Sequence, residues 1–324
     1  MATIEDVARL AGVSTATVSR VINRLGPVSE RTRLRVWKVI KTLRYSPRIV
    51  YKPARSKKVF SVAICTSERT RKLLKNHEVG QFYNIVLESV EDVSKECNLR
   101  VSLQPLETVR NRFDGYLLLG ADVDSAIFSR FKNFRKPFLL VDHCIPGEYV
   151  DCVVSDGYYG AFHAVGHLVK KGFKRVVHVH GPLNSYGFRS RFDGYMIAME
   201  KAGLIPKTYE YDDVSNNISS VMDAVLRSYG IPEAIFASND ITAMRMINDL
   251  KVRGLRVPDD VEVVGFDDIP LAESFNPPLT TVKVFKYEMG SLACKRLREL
   301  LLGYDTHPVQ ILVSTKFVRR KSSP

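Results

Sequence analysis

The chain has 324 residues, enough for two or three compact units. Its formal net charge is +13, and residues 1–60 hold 14 Lys/Arg against 3 Asp/Glu, so the remainder is close to neutral. A basic small unit joined to a neutral large one predicts a polyanion partner for the first sixty residues alone, and compact helical patterning there argues against a phospholipid surface.

Thr3 and Asp6 have the spacing of a capping box that opens a first helix, on which Ile4, Val7, Ala8 and Ala11 share a face. Gly12 supplies a permissive turn, and Ser14 can cap a second helix whose Val18, Val21 and Ile22 face inward. The outer face keeps Thr15, Ala16, Ser19 and Arg20 near its N-terminal end, the part of a recognition helix that reaches base edges. Residues 3–23 therefore read as a helix-turn-helix. The plainer alternative is a capped hairpin with a polar face, and the local basic surplus argues against it. Leu25, Gly26 and Pro27 turn the chain, and Ser29 caps a third helix over residues 30–43. Val36, Ile40 and Leu43 close a three-helix core, to which Trp37 is expected to add. Arg31, Arg33, Arg35, Lys38 and Lys41 line its polar side, in reach of phosphates. Pro47 and Pro53 punctuate a basic linker over residues 46–58.

From Phe60 onward, strand-like runs at 60–64, 116–119, 138–141, 175–179, 234–236 and 261–264 alternate with helical patterns at 82–97, 159–171, 191–202, 243–253 and 288–301. That alternation is the signature of parallel βαβ units. About ten strands exceed one small sheet, so two Rossmann-like lobes with a ligand cleft between them are expected. Five scattered cysteines without a C-x-x-C fit reduced, mostly buried thiols. Neither a signal-peptide core nor an apolar run of membrane-span length is found, so a cytoplasmic protein is expected.

Enzyme readings find little support. His163 and His167 lie at i, i+4 without H-E-x-x-H, and His178 and His180 are a strand pair better read as packing. There is no Walker loop, no G-x-S-x-G and no Gly-rich first βα turn; no catalytic residue, metal or cofactor is expected.

The whole chain resembles the lactose/galactose repressor family of bacterial transcription regulators. The resemblance rests on residues 3–23, Tyr45-Ser-Pro47, Asp156 and His167-Leu-Val-Lys-Lys-Gly172. It continues through Arg191-Phe-Asp-Gly-Tyr-Met-Ile-Ala198, Ala237-Ser-Asn-Asp240, residues 263–272, Pro277-Pro-Leu-Thr-Thr-Val282 and Glu288-Met-Gly290. It implies a helix-turn-helix headpiece at 1–47, a hinge at 48–59 and a two-lobed, periplasmic-binding-protein-like effector and dimerisation core at 60–321. The implied protein is a homodimeric repressor on double-stranded operator DNA of approximate twofold symmetry. Thr15, Ala16 and Arg20 would contact bases, with Ser19 on the same face; Ser14, Asn23, Ser29 and Tyr45 suit phosphates. In the core the resemblance places effector contacts at Phe82, Tyr83, Asp142, Arg191, Asn239 and Asp267. Carboxylates, an amide, a guanidinium fork and an aromatic face suit a sugar or sugar derivative better than a purine. A helix N-cap is the plain reading for Asn239 and Asp267, whereas Arg191, read as opening its helix against the macrodipole, calls for a role in the cleft. The alternative is control by a phosphoprotein partner or an anionic metabolite.

Three departures from the family pattern stand out. The minor-groove leucine of the family's hinge falls on Ala54, after Pro53, with Ile49 or Val50 as substitutes. Residues 68–80 form a longer loop carrying Arg69, Arg71, Lys72 and Lys75, expected either to cover the cleft, over an anionic ligand, or to be solvated. About ten residues join the strand at 101–104 to that at 115–119, short for a parallel crossover, which calls for a helix of one or two turns or a changed strand order.

Overall fold

The computed structural model describes residues 2–22, 28–43, 45, 58–76, 79–211, 217–304 and 307–324. The Leu25–Pro27 turn, Asn23 and most of the linker, including Ile49, Val50, Pro53 and Ala54, lie outside the described residues.

The first unit is α1 (Ile4–Ala11), α2 (Thr15–Ile22) and α3 (Glu30–Thr42). Thr3 Oγ1 accepts from the Asp6 N–H at 3.3 Å while the Asp6 carboxylate accepts from the Thr3 N–H at 3.0 Å, completing the capping box. Gly12 closes α1 at φ +59°. Ser14 Oγ caps α2 through Thr17 N–H at 3.1 Å, and Ser29 Oγ caps α3 through Thr32 N–H at 3.3 Å. Val7, Ala8, Ala11, Val18, Val21, Ile22, Val36 and Ile40 form its separate core. Trp37 departs from expectation: it is 40% exposed, because it lies about 100° around α3 from Val36.

The second unit follows as β1 (Phe60–Thr66), α4 (Glu68–Lys75), α5 (Gln81–Glu96), β2 (Leu99–Pro105), β3 (Gly115–Leu119), α6 (Ser125–Phe134), β4 (Phe138–Val141) and β5 (Asp151–Ser155). Next come α7 (Gly157–Lys170), β6 (Val176–His180), α8 (Tyr186–Lys201), β7 (Lys207–Glu210), α9 (Ile218–Tyr229), β8 (Ala234–Ala237), α10 (Asp240–Val252), β9 (Glu262–Val264) and α11 (Pro270–Ser274). The chain closes with β10 (Thr281–Lys283), α12 (Lys286–Leu301), β11 (Gln310–Val313) and β12 (Lys316–Val318). One lobe holds a parallel sheet in the order β11-β5-β4-β3-β1-β2, the other a parallel sheet β7-β6-β8-β9. β10 and β12 pair antiparallel beside them. Both main sheets are buried by helices, as wholly buried strands such as Gly115–Leu119 and Val176–His180 require.

Three segments differ from their sequence reading. Residues 68–75 are the helix α4, not a loop, because Ser67 Oγ caps the Thr70 N–H at 3.0 Å and Glu68 pairs with Lys72 one turn on. Residues 106–114 cross from β2 over β1 to β3 in turns, with neither the short helix nor the altered order expected; buried Leu106 and Val109 hold them on the sheet. The core also runs past residue 321, since Ser322 and Ser323 are buried and Ser322 Oγ donates to the Val263 carbonyl at 2.6 Å.

α7 and α8 pack closely at Gly194, where an added Cβ would stand 2.2 Å from the Tyr158 carbonyl oxygen. Backbone on that side cannot yield as a flexible side chain would. Gly194→Ala is therefore expected to cost about 1–3 kcal/mol in denaturant unfolding, and an unchanged midpoint would mean the two helices can part freely.

Candidate functional sites: a recognition helix and an interlobe cavity

On the headpiece, Ser14, Thr15, Ala16 and Arg20 are exposed along α2, while Ser19 is half-buried. Ser29 is exposed at the N-terminus of α3, and Tyr45 is half-buried against the headpiece core. Arg31, Arg35, Lys38 and Lys41 are exposed on α3, and Arg33 is half-buried. Asn23 lies outside the described residues. Of the described candidates, all but Ser19, Arg33 and Tyr45 are thus exposed.

Between the lobes lies a cavity of about 570 Å³. Phe82, Tyr83, Asp142, Arg191, Asn239 and Asp267 all line it. They reach it from the C-terminal ends of strands and the helix starts that follow, where open α/β sheets bind ligands. Arg191 is buried in α8 and pairs through Nη2 with Asp267 Oδ1 at 3.1 Å. Its Nη1 donates to the Ser238 carbonyl at 2.5 Å, and its guanidinium lies 4.1 Å from the Phe266 ring centroid. Its Nε, also buried, has no hydrogen-bond partner among the described residues. The helix begins at Tyr186, so Arg191 sits in the second turn rather than opening it. The macrodipole argument for its cleft role therefore lapses, and the burial and ion pair stand in its place.

Asp267 follows β9 in a backbone of φ +115°, and burial raises its carboxyl against the pull of Arg191 and Lys286. It caps no helix. Asn239 does cap α10, its Oδ1 accepting from the Thr242 N–H at 2.7 Å, while the side chain still lines the cavity. Tyr83 donates its hydroxyl to Asp142 Oδ2 at 3.1 Å. Phe82 meets Tyr83 edge-on at 5.2 Å and is otherwise buried in the lobe core.

Several residues here escaped the sequence reading. Lys286 is buried at the start of α12, its ammonium donating to the carbonyls of Asp267, Asp268 and Val284. Asp240 is fully buried behind Asp267, accepting from the Ile269 N–H at 2.9 Å and from the Thr281 hydroxyl. The sequence shows each as an ordinary helix-start charge, and only the fold brings them together. On the other wall, Arg69, Thr70, Asp122 and Asp124 line the cavity.

Burial raises the Asp142 carboxyl to about 7, with Arg191 opposing and the Asp267 charge reinforcing the rise. The folded protein therefore keeps a proton that the unfolded chain releases near pH 4, and stability falls as pH rises from about 4 through 7. Three pKa units set an upper limit of about 4 kcal/mol. Asp142→Asn is expected to lose less melting temperature than the unaltered chain between pH 5 and pH 8. Equal losses would show Asp142 ionised throughout.

The histidine pair is packing, not a metal site. His178 donates Nδ1–H to the Phe236 carbonyl at 2.9 Å, stacks on Phe236 at 4.8 Å, and is lowered to about 3 by burial. His180 bonds the Gly181 carbonyl at 2.8 Å. His163 is exposed, and His167 is half-buried and bonds Ser323 Oγ at 3.1 Å. Among the described residues no group of three or more His, Cys, Asp or Glu could hold a metal, and no helix is long and apolar enough to cross a membrane. The five cysteines are free thiols, four of them buried.

Residues 3–48 match the family model for bacterial regulatory proteins of the lacI family, and residues 165–323 match that of a periplasmic binding protein-like domain. Over 315 residues the chain is 31% identical to the HTH-type transcriptional repressor PurR of Aliivibrio salmonicida, spanning 92% of each protein. Among solved structures, the transcriptional regulator CelR in its cellobiose complex aligns with TM-score 0.73 and 28% identity over 99% of this chain and 100% of that one. The lac repressor dimer bound to operator and the anti-inducer ONPF aligns with TM-score 0.70 and 25% identity over 99% of both. A helix-turn-helix headpiece, two parallel-sheet lobes and an interlobe cavity thus occur together in a chain whose relatives are repressors: it belongs to the lacI family, as a DNA-binding transcriptional repressor with a ligand-binding core and not an enzyme.

Proposed function

We propose that the chain works as a homodimer on a twofold operator and that a sugar-type effector in the interlobe cavity sets its DNA affinity. The observation that carries the sugar reading is the convergence of Arg191, Asp267, Asn239 and the Tyr83–Asp142 pair on one cavity. Hydroxyls both donate and accept, so neighbouring carboxylates, an amide and a guanidinium can satisfy them in pairs, and aromatic side chains cover a sugar face. CelR, which resembles this chain along its whole length, is recorded with cellobiose. The lac repressor, likewise similar, is recorded as a dimer on operator. In this reading residues 1–47 read DNA, 48–59 connect, and the core from residue 60 onward dimerises and binds the effector.

Effector control requires that the ligand prefer one of two lobe arrangements, which the chain connections at 155–157, 284–286 and 313–316 between the lobes allow to differ in angle. A second reading, a purine-type effector, is favoured by relatives named PurR. A thermal-shift screen of the full chain against sugars, sugar phosphates and nucleobases separates the two. A ligand at a hundredfold its dissociation constant adds about 2.7 kcal/mol. Stabilisation by a sugar, lost in Asp267→Asn, supports the first reading. Stabilisation by nucleobases alone replaces it with the second, and a blank screen favours control by a protein partner.

A further inference from the structure

α4 has three faces with three fates. Glu68 and Lys72 pair at 2.9 Å in solvent. Arg71 ties the helix down, donating to the Thr66 carbonyl at 2.7 Å and pairing with Glu107 at 3.2 Å, while Glu107 also accepts from the Glu68 N–H at 2.8 Å. Arg69, Thr70 and Leu73 line the cavity. At the far end, Gly80 packs so tightly that a Cβ would stand 2.4 Å from the Leu73 carbonyl oxygen. The helix is therefore docked as a fixed wall. Facing it, Asp122 accepts from the Ser67 hydroxyl and from Thr70 Oγ1 at 3.4 Å, and lies 3.8 Å from Arg69 Nη1.

The cavity lining thus holds two guanidinium–carboxylate pairs, Arg191–Asp267 and Arg69–Asp122, with Leu73, Val79, Phe82 and Phe188 among its apolar residues. Its ionisable lining is Arg69 and Arg191 against Asp122, Asp124, Asp267 and Asp142, the last raised by burial to about 7. Both arginines already face carboxylates. This wall is therefore poorly suited to a phosphate or other anion, contrary to the anionic ligand entertained for the 68–80 segment. Its volume lies within the roughly 300–1,000 Å³ of sites that enclose drug-sized ligands, and a single sugar ring would leave much of it to water.

We propose that Arg69, Thr70 and Asp122 form a second sugar subsite, so that the effector is an uncharged disaccharide with one unit at each of the two guanidinium–carboxylate pairs. The proposal rests on the sugar reading above and assigns α4 the choice of ligand length. A carboxylate–guanidinium pair of this kind offers two acceptors and a fork of donors to one ring's hydroxyls, and charge-assisted hydrogen bonds of that sort discriminate by about 10- to 100-fold.

The test is calorimetric titration of the full chain with D-glucose, D-galactose and D-xylose against cellobiose, maltose, lactose and xylobiose. One disaccharide is expected to bind at least about tenfold more tightly than its monosaccharide. Arg69→Ala and Asp122→Asn should each remove that advantage, lowering disaccharide affinity by a larger factor than monosaccharide affinity. Arg69→Ala alters a side chain 38% exposed, so it keeps the test independent of any folding defect in Asp122→Asn. Equal affinity for both lengths, or a preference untouched by both variants, overturns the subsite while leaving the sugar reading standing. Failure of every sugar to bind overturns both.

Discussion

Arg191→Ala is expected to abolish the effector response while operator binding survives. The side chain contributes to the cavity wall in three ways: an ion pair to Asp267, a hydrogen bond to the Ser238 carbonyl and a face against Phe266. Ser238 is itself positioned by its hydroxyl, 3.3 Å from His178 Nε2, so the guanidinium is held from behind. Removing it leaves Asp267 buried beside Asp240 with Lys286 as its remaining cation, a loss of about 3–5 kcal/mol by analogy with broken buried pairs. The headpiece has its own core, so this loss falls on the core lobes. Asp267→Asn keeps the shape and one acceptor for Arg191 and is the milder partner of the test. Expected are melting temperatures that no longer rise with effector, together with an operator affinity close to that of the unaltered chain. A normal effector response in Arg191→Ala would remove the cavity assignment altogether.

What the sequence made legible follows the range of the interactions involved. The capping box at Thr3 and Asp6 and the caps at Ser14 and Ser29 are local, spanning three residues, and the structure forms all of them. The alternation of apolar runs and amphipathic stretches likewise reports a two-sheet core, because a strand covered on both faces must be apolar throughout. The six core candidates, which came from family resemblance rather than from periodicity, meet on one cavity.

Long-range features were invisible. Asp240 is distant in sequence from Thr281 and Lys286 and meets them only because β10 and α12 return to the end of β9. The polar sequence of α4 carries no apolar stripe of ordinary width to announce a helix; its inner face is Arg69, Thr70 and Leu73 against the cavity. The hydrophobicity of Trp37 points to the core, but helical spacing turns it outward. α8 starts five residues before the periodic pattern at 191–202, because Tyr186, Gly187 and Phe188 give no periodic signal, a glycine separating two aromatics.

Arg20→Ala is expected to relax operator discrimination at one base-pair position by about 1–3 kcal/mol, the worth of a bidentate guanine contact. Arg20 is exposed in the last turn of α2, on the helix whose opposite face is held by buried Val18, Val21 and Ile22. That opposition fixes which way the helix can present itself to a groove, and exposed Thr15 and Ala16 share the presented surface. Lys38, exposed on α3, provides the contrast. A phosphate contact carries no sequence information, so Lys38→Ala should weaken binding to every duplex alike and reduce the salt dependence by about one unit of slope. The measurement is the affinity of each variant for operator and for single-base-pair substitutions of it, across a salt series. If Arg20→Ala loses the same factor on every duplex, Arg20 holds phosphate, and base reading passes to the methyl groups of Thr15 and Ala16. If its losses concentrate at one G·C pair in each half-site, α2 lies in the major groove, and the symmetry of those two positions supports the proposed homodimer.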